Sequence, residues 1–351
     1  METFKQIHHK FKLNGIHFSF EELKEVSYSF IKEGEDFEKQ IGHFLLEWLD
    51  NNPFLNLKTS GSTGNPKLIK INKQAMVNSA LATGDFFNLS PGKSALLCLP
   101  ASYIAGKMML VRAMVLGLDI TLINPKIVLN INTKKSFDFC AMIPMQVEKN
   151  LSKLDNIKTL IVGGAVVSNQ LAEKMQSLKS HVYATYGMTE TVSHIALKKL
   201  NHTREKTYYK LLPDVTIAQD DRDCLIIEAP KLTKGKVATN DIVKLYKNNT
   251  FQWLGRFDNV INSGGVKLIP EQIEAKLQQH IPERFFITSL PDDSLGEKLI
   301  LVIEGNNKPM PESIYKTLDK FEHPKDVYFI DKFIETTSGK VQREQTLKLI
   351  N

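Results

Sequence analysis

Between Asn56 and about Pro230 the chain alternates short β-rich runs (LLCLP, LDITLI, FDFCAMI, IKTLIVGG, HVYATYG and CLIIEAP) with helical stretches. Short apolar runs bounded by turn residues suit strands buried on both faces, and helices between them supply the crossovers that parallel pairing needs. The alternation predicts a large α/β domain of layered architecture on a mainly parallel sheet. Chemistry on such a sheet belongs at the strand ends.

Before this region, about 50 residues read as a short strand and then an amphipathic helix, with Phe37, Ile41, Phe44, Leu45 and Trp48 on one face. After it, the pattern changes near Gly255-Arg256-Phe257-Asp258. The remaining 90 or so residues carry their own strands (FFITSLP, KLILVIEG, VYFID) and helices (PEQIEAKLQQHI, MPESIYKTLDKF). The expected division is a core over 1–257 and a small α+β domain over 258–351. A length of 351 residues, with 42% hydrophobic and 24% charged, supplies a core for both and excludes a largely disordered chain.

The net charge of +6 is spread without a run of five basic residues, so nucleic acid is not the expected partner. Cys98, Cys140 and Cys224 are odd in number and far apart, which supports neither a disulfide framework nor a zinc site. The start lacks the apolar core of a signal peptide and no 18-residue apolar window follows. A cytoplasmic protein without a membrane partner is expected.

The strongest local signal is Thr59-Ser60-Gly61-Ser62-Thr63-Gly64-Asn65-Pro66-Lys67. Its glycines, hydroxyls and lysine can offer backbone N–H groups, O–H donors and positive charge to phosphate oxygens. The spacing is not that of a Walker A loop, because Asn65 and Pro66 separate Gly64 from Lys67 and Leu68 follows the lysine.

This loop resembles the TSGSTGxPK element of the adenylate-forming superfamily, which includes acyl-CoA synthetases, nonribosomal peptide adenylation domains and luciferases. Further elements follow in order: Tyr186-Gly187-Met188-Thr189-Glu190-Thr191, Thr239-Asn240-Asp241, Gly255-Arg256-Phe257-Asp258, Ser263-Gly264-Gly265-Val266-Lys267 and Thr337-Ser338-Gly339-Lys340. The resemblance implies a two-step reaction. A carboxylate attacks the α-phosphorus of ATP, releasing pyrophosphate, and a thiol such as CoA then displaces AMP from the acyl-adenylate.

By resemblance, Ser60, Ser62, Thr63 and Lys67 would hold the β- and γ-phosphates in a nucleotide-binding loop that includes Thr59, Gly61 and Gly64, Thr189 would contact the α-phosphate and Glu190 would bind Mg²⁺. Asp241 and Arg256 would hold the ribose, while Tyr186, Gly187, Gly163 and Gly164 would line the adenylate site. Asn240 stands where the superfamily has glycine. Asp258 matches the hinge position. Lys340 would assist adenylation, and Gly264, Gly265 and Lys267 would replace it and line the thiol tunnel in the second step.

Acid selection is expected from Leu99 to Met114, where Tyr103 replaces a common histidine and Lys107 and Arg112 interrupt an apolar helix. This segment and the short chain resemble the 2-succinylbenzoate–CoA ligases of menaquinone biosynthesis, in which an arginine matched by Arg112 faces a second carboxylate. Another acid, transfer to a carrier protein, or nucleotide binding without turnover remain open alternatives. Only 58 residues precede the phosphate loop. That is short for the superfamily and implies either homodimer contacts or a more open pocket.

Overall fold

The computed structural model describes residues 3–58, 68–335 and 341–350. A short antiparallel pair, β1 (Lys12–Leu13) and β2 (Ile16–His17), precedes two helices, α1 (Phe20–Glu33) and α2 (Asp36–Leu49). Ser19 and Glu22 close a reciprocal capping box on α1. In α2, Ile41, Phe44, Leu45 and Trp48 are buried as their spacing requires, and Phe37 packs against the same core. The sequence reading passed over α1. Only Leu23 and Ser27 of that helix are fully buried, so its apolar stripe is narrow.

Strands β3 (Phe54–Lys58) and β4 (Leu68–Asn72) form a separate hairpin. The loop that joins them, 59–67, lies outside the described residues. Helix α3 (Lys73–Phe87) begins immediately after, its first turn capped by the Asn72 side chain, which accepts from Gln74 N and Ala75 N.

The α/β alternation then appears as β5 (Ser94–Leu97), α4 (Ile104–Leu116), β6 (Asp119–Leu122), β7 (Phe137–Met142), α5 (Pro144–Asn150), β8 (Ile157–Val162), α6 (Asn169–Lys174) and β9 (His181–Gly187). Strands β9, β8, β7, β5, β6 and β1 are adjacent in that order and parallel throughout. Helix α4 is buried on nearly all sides, as its continuous apolar sequence demands.

The sheet continues antiparallel through β10 (His194–Lys199), β11 (Tyr209–Leu211), β12 (Thr216–Gln219), β13 (Cys224–Glu228), β14 (Lys236–Tyr246) and β15 (Thr250–Arg256), giving thirteen described strands. The run CLIIEAP, read as part of the parallel series, forms β13 in this half. Its neighbours are joined by turns too short for a crossover helix, and Asp223, Asn248 and Asn249 take positive φ there. The sheet is therefore mixed.

The smaller C-terminal α+β region begins after a 3-10 turn at Phe257–Asn259. Strands β16 (Ile261–Ser263) and β17 (Val266–Leu268) meet at Gly264-Gly265, a two-residue turn with φ of +56° and +82°. Helix α7 (Pro270–Leu277), β18 (Phe285–Asp292), β19 (Gly296–Glu304), β20 (Asp326–Ile330) and α8 (Arg343–Leu347) complete it. The helix expected over MPESIYKTLDKF is instead a 3-10 turn at Glu312–Thr317. Ile261, Ile273, Ile287 and Leu301 form a core of their own.

All three cysteines are buried free thiols. Among the described residues no helix is long and apolar enough to cross a membrane.

Candidate active site

Two glycine-dependent turns shape the carboxyl ends of β8 and β9. After β8, a Cβ on Gly163 would lie 2.1 Å from Thr185 Oγ1 and would displace that hydroxyl; Gly164 follows with φ +82°. After β9 the chain folds back sharply, and a Cβ on Gly187 would lie 2.3 Å from Ser193 O. The reversal passes through Val192 at φ +67°, ψ −50°, with Ser193 N donating to Thr191 O at 2.7 Å. A γ-turn on a β-branched residue is strained. Buried Thr191 holds it, its hydroxyl accepting from Met188 N at 3.1 Å and lying 2.9 Å from Ser193 O.

This turn carries Thr189, half-buried, and Glu190, exposed, at the strand end. Glu190 has no hydrogen bond or ion pair among the described residues. Beside them, Tyr186 and Asp241 are brought together from β9 and β14. The Tyr186 hydroxyl donates to Asp241 Oδ2 at 2.6 Å, and Trp253 Nε1 donates to Oδ1 at 3.1 Å. Burial, and then the Asp241 charge, push the Tyr186 phenol far up, so it stays protonated and remains a donor.

Arg256, at the end of β15, extends the group. Its Nη1 lies 3.7 Å from Asp241 Oδ1 and its Nη2 lies 2.8 Å from Asp258 Oδ2. Asn240 Nδ2 donates to the other oxygen of Asp258 at 2.9 Å. The residue that departs from the superfamily glycine thus grips the expected hinge position.

A second group forms around Arg112, only 2% exposed. Its Nε donates to Thr83 Oγ1 at 3.3 Å and its Nη2 to Ser193 Oγ at 2.8 Å, with His194 Nδ1 3.5 Å from Nη2. Among the described residues Nη1 has only Met109 Sδ, at 3.9 Å. No carboxylate among the described residues pairs with it, and burial pulls its guanidinium down to about 10. Burial, reinforced by Arg112, also holds the His194 ring well below its ordinary value, so it is neutral.

Lys107 does not join this group. Its ammonium lies 4.6 Å from the Phe44 ring centroid and 3.8 Å from Glu47, both on α2. Burial lowers its affinity for a proton and Glu47 partly restores it. Tyr103 stands at the start of α4, 43% exposed. Gly264, Gly265 and Lys267 lie in the β16–β17 hairpin of the C-terminal region, with Gly264 N bonded to Leu295 O. Thr59 to Lys67 and Lys340 lie outside the described residues. The sequence reading missed Thr83, Ser193, His194 and Trp253; the available signal was that Ser193 and His194 lie within three residues of the end of the YGMTET element.

The AMP-binding enzyme family matches residues 31–227, more than half of the chain, and the chain belongs to that family. It is an enzyme of the adenylate-forming acyl-CoA synthetase superfamily. It is similar to the 2-succinylbenzoate–CoA ligase of Lactococcus lactis, 24% identical over 82% of this chain and 69% of that protein. It is likewise similar to a probable 2-succinylbenzoate–CoA ligase of Mycobacterium tuberculosis, at 25% over 85% and 84%. Among solved structures, an acyl-CoA synthetase (AMP-forming)/AMP-acid ligase II-like protein from Dyadobacter fermentans is 38% identical, covering 93% of this chain and 98% of that one with a TM-score of 0.62. The Bacillus subtilis o-succinylbenzoate CoA synthetase bound to its acyl-adenylate shares the fold, at TM-score 0.73 and 19% identity over 83% and 68%.

Proposed function

We propose that this enzyme is an ATP-dependent acid–CoA ligase acting on an aromatic dicarboxylate, 2-succinylbenzoate, as in menaquinone biosynthesis. One carboxylate attacks the α-phosphorus of ATP and the bond to pyrophosphate breaks. The CoA sulfur then attacks the acyl carbon and AMP leaves. The observation that carries the choice of acid is the buried Arg112, which has no carboxylate partner among the described residues. A desolvated guanidinium without a carboxylate is costly, and a second carboxylate on the substrate would supply the missing partner at Nη1.

Asp241 retains acceptor capacity for ribose hydroxyls beyond its bonds to Tyr186 and Trp253. Among the described residues no cluster of three His, Cys, Asp or Glu could hold a metal. Glu190 fits Mg²⁺ as a single hard oxygen donor, the remaining ligands being phosphate and water, and the ion would neutralise charge on the phosphates. Ser60, Ser62, Thr63 and Lys67 would grip the β- and γ-phosphates and Thr189 the α-phosphate. Lys340 would serve adenylation, and Gly264, Gly265 and Lys267 the thiol step, after a turn about Asp258.

A panel of carboxylic acids with ATP, Mg²⁺ and CoA, read by mass for AMP and thioester, tests this. The expected result is the thioester of 2-succinylbenzoate. In Arg112→Ala, the KM for this acid should rise at least tenfold while 4-oxo-4-phenylbutanoate, which lacks the ring carboxylate, is unaffected. Equal effects on both acids would refute the assignment. Pyrophosphate release without thioester would point to a carrier-protein acceptor.

A further inference from the structure

The groups around Arg112 are neutral hydroxyls and an imidazole, and donor capacity assigns their protons. The Thr83 hydroxyl has one proton, and its nearest acceptor is Ser79 O at 2.9 Å. Its lone pairs then accept from Arg112 Nε and from His194 Nε2, each at 3.3 Å. Nε2 must therefore carry the imidazole proton. Ser193 Oγ accepts from Arg112 Nη2 at 2.8 Å, which leaves its own proton for His194 Nδ1 at 3.4 Å. A neutral ring has one donor and one acceptor nitrogen, and here both are used.

We propose that His194 is a positioning residue for acid selection: as the Nε2–H tautomer it ties Ser193 to Thr83 and so holds Arg112 in the one orientation that leaves Nη1 for the acid. This role rests on the reading of Arg112 as the acid-binding cation. Planar, forked guanidinium recognition depends on orientation, and among the described residues Arg112 has no other oxygen or nitrogen acceptor than Thr83, Ser193 and His194. Without the imidazole, the Ser193 proton loses its acceptor and Thr83 loses a donor, so the two hydroxyls that hold Nη2 and Nε are no longer tied to each other. His194 is also one wall of a cavity of about 300 Å³ lined with Ser79, Leu212, Val215 and Leu232. Truncation to alanine would enlarge that space, so volume-keeping substitutions give the cleaner test.

Two measurements decide it. Nitrogen NMR of the substrate-free wild-type protein at pH 6 should show a pyrrole-type Nε2 and a pyridine-type Nδ1 for His194; the opposite tautomer or a doubly protonated ring overturns the proposal. In His194→Leu the KM for 2-succinylbenzoate should rise roughly tenfold, with kcat and the KM for 4-oxo-4-phenylbutanoate within about twofold of wild type. His194→Gln, which keeps a donor and an acceptor on one planar group, should recover most of the loss. No loss in the leucine variant, or equal loss on both acids, overturns the role of His194. A wild-type enzyme that treats the two acids alike overturns the acid reading itself, and the nitrogen signals still report the tautomer.

Discussion

The Tyr186 hydroxyl donates to Asp241 Oδ2 across 2.6 Å, tying the end of β9 to the middle of β14. The bond fixes one carboxylate oxygen while Trp253 fixes the other, so Asp241 is already oriented for the ribose contact proposed for it. A hydrogen bond to a charged acceptor is worth about 1.5–3 kcal/mol. Tyr186→Phe is therefore expected to raise the KM for ATP at least tenfold in steady-state assays, with a smaller effect on the KM for CoA.

Asp258 receives Arg256 on one oxygen and Asn240 on the other. Asn240→Gly restores the superfamily residue and removes one of these restraints from an exposed site, a change of about 0.5–1 kcal/mol. With labels on the large and small regions, single-molecule energy transfer should show the alternative arrangement enriched roughly two- to fivefold. An unchanged distribution would mean that Asp258 is not the pivot.

His194 is held neutral by burial and by Arg112, its proton affinity well below the ordinary value of 6.5. The unfolded chain protonates this histidine below pH 6.5 while the folded one does not, so stability is fully present above that pH and falls as the pH drops through the window beneath it. The slope approaches about 1.4 kcal/mol per pH unit for one proton. His8 and His181 are shifted the same way, so urea unfolding between pH 7 and about pH 5, above the range where carboxylates dominate, should show a steeper slope in the wild type than in His194→Gln, the difference approaching this value.

Lys73 is fully buried where α3 leaves β4, and its ammonium donates to Trp48 O at 3.1 Å and to the Asp50 carboxylate at 2.7 Å. It fastens the end of α2 to the start of α3, next to the β3–β4 hairpin. Asp50 is half-exposed, which discounts the ion pair, but the backbone carbonyls of Trp48 and Asp50 would lose their donor in Lys73→Met. A loss of about 2–3 kcal/mol in urea unfolding is expected.

The sequence by itself determined the class of fold, because the alternation of apolar runs and helices leaves few ways to bury them other than a layered α/β domain. It also singled out Gly163, Gly187 and Gly264 as motif positions, and the structure finds a turn at each, where backbone geometry is local. Tertiary structure alone decided what the side chains face. Lys107 and Arg112 lie five residues apart on α4, roughly 140° around its axis, and in sequence both read as cations awaiting an anion. Only the packing of α2 on one side and of α3 and β10 on the other gives Lys107 to Phe44 and Glu47, and leaves Arg112 with Thr83, Ser193 and His194. Those partners come from segments 29 to 82 residues away. No local spacing encodes contacts of that range, which exist only once the helices and the sheet have packed together.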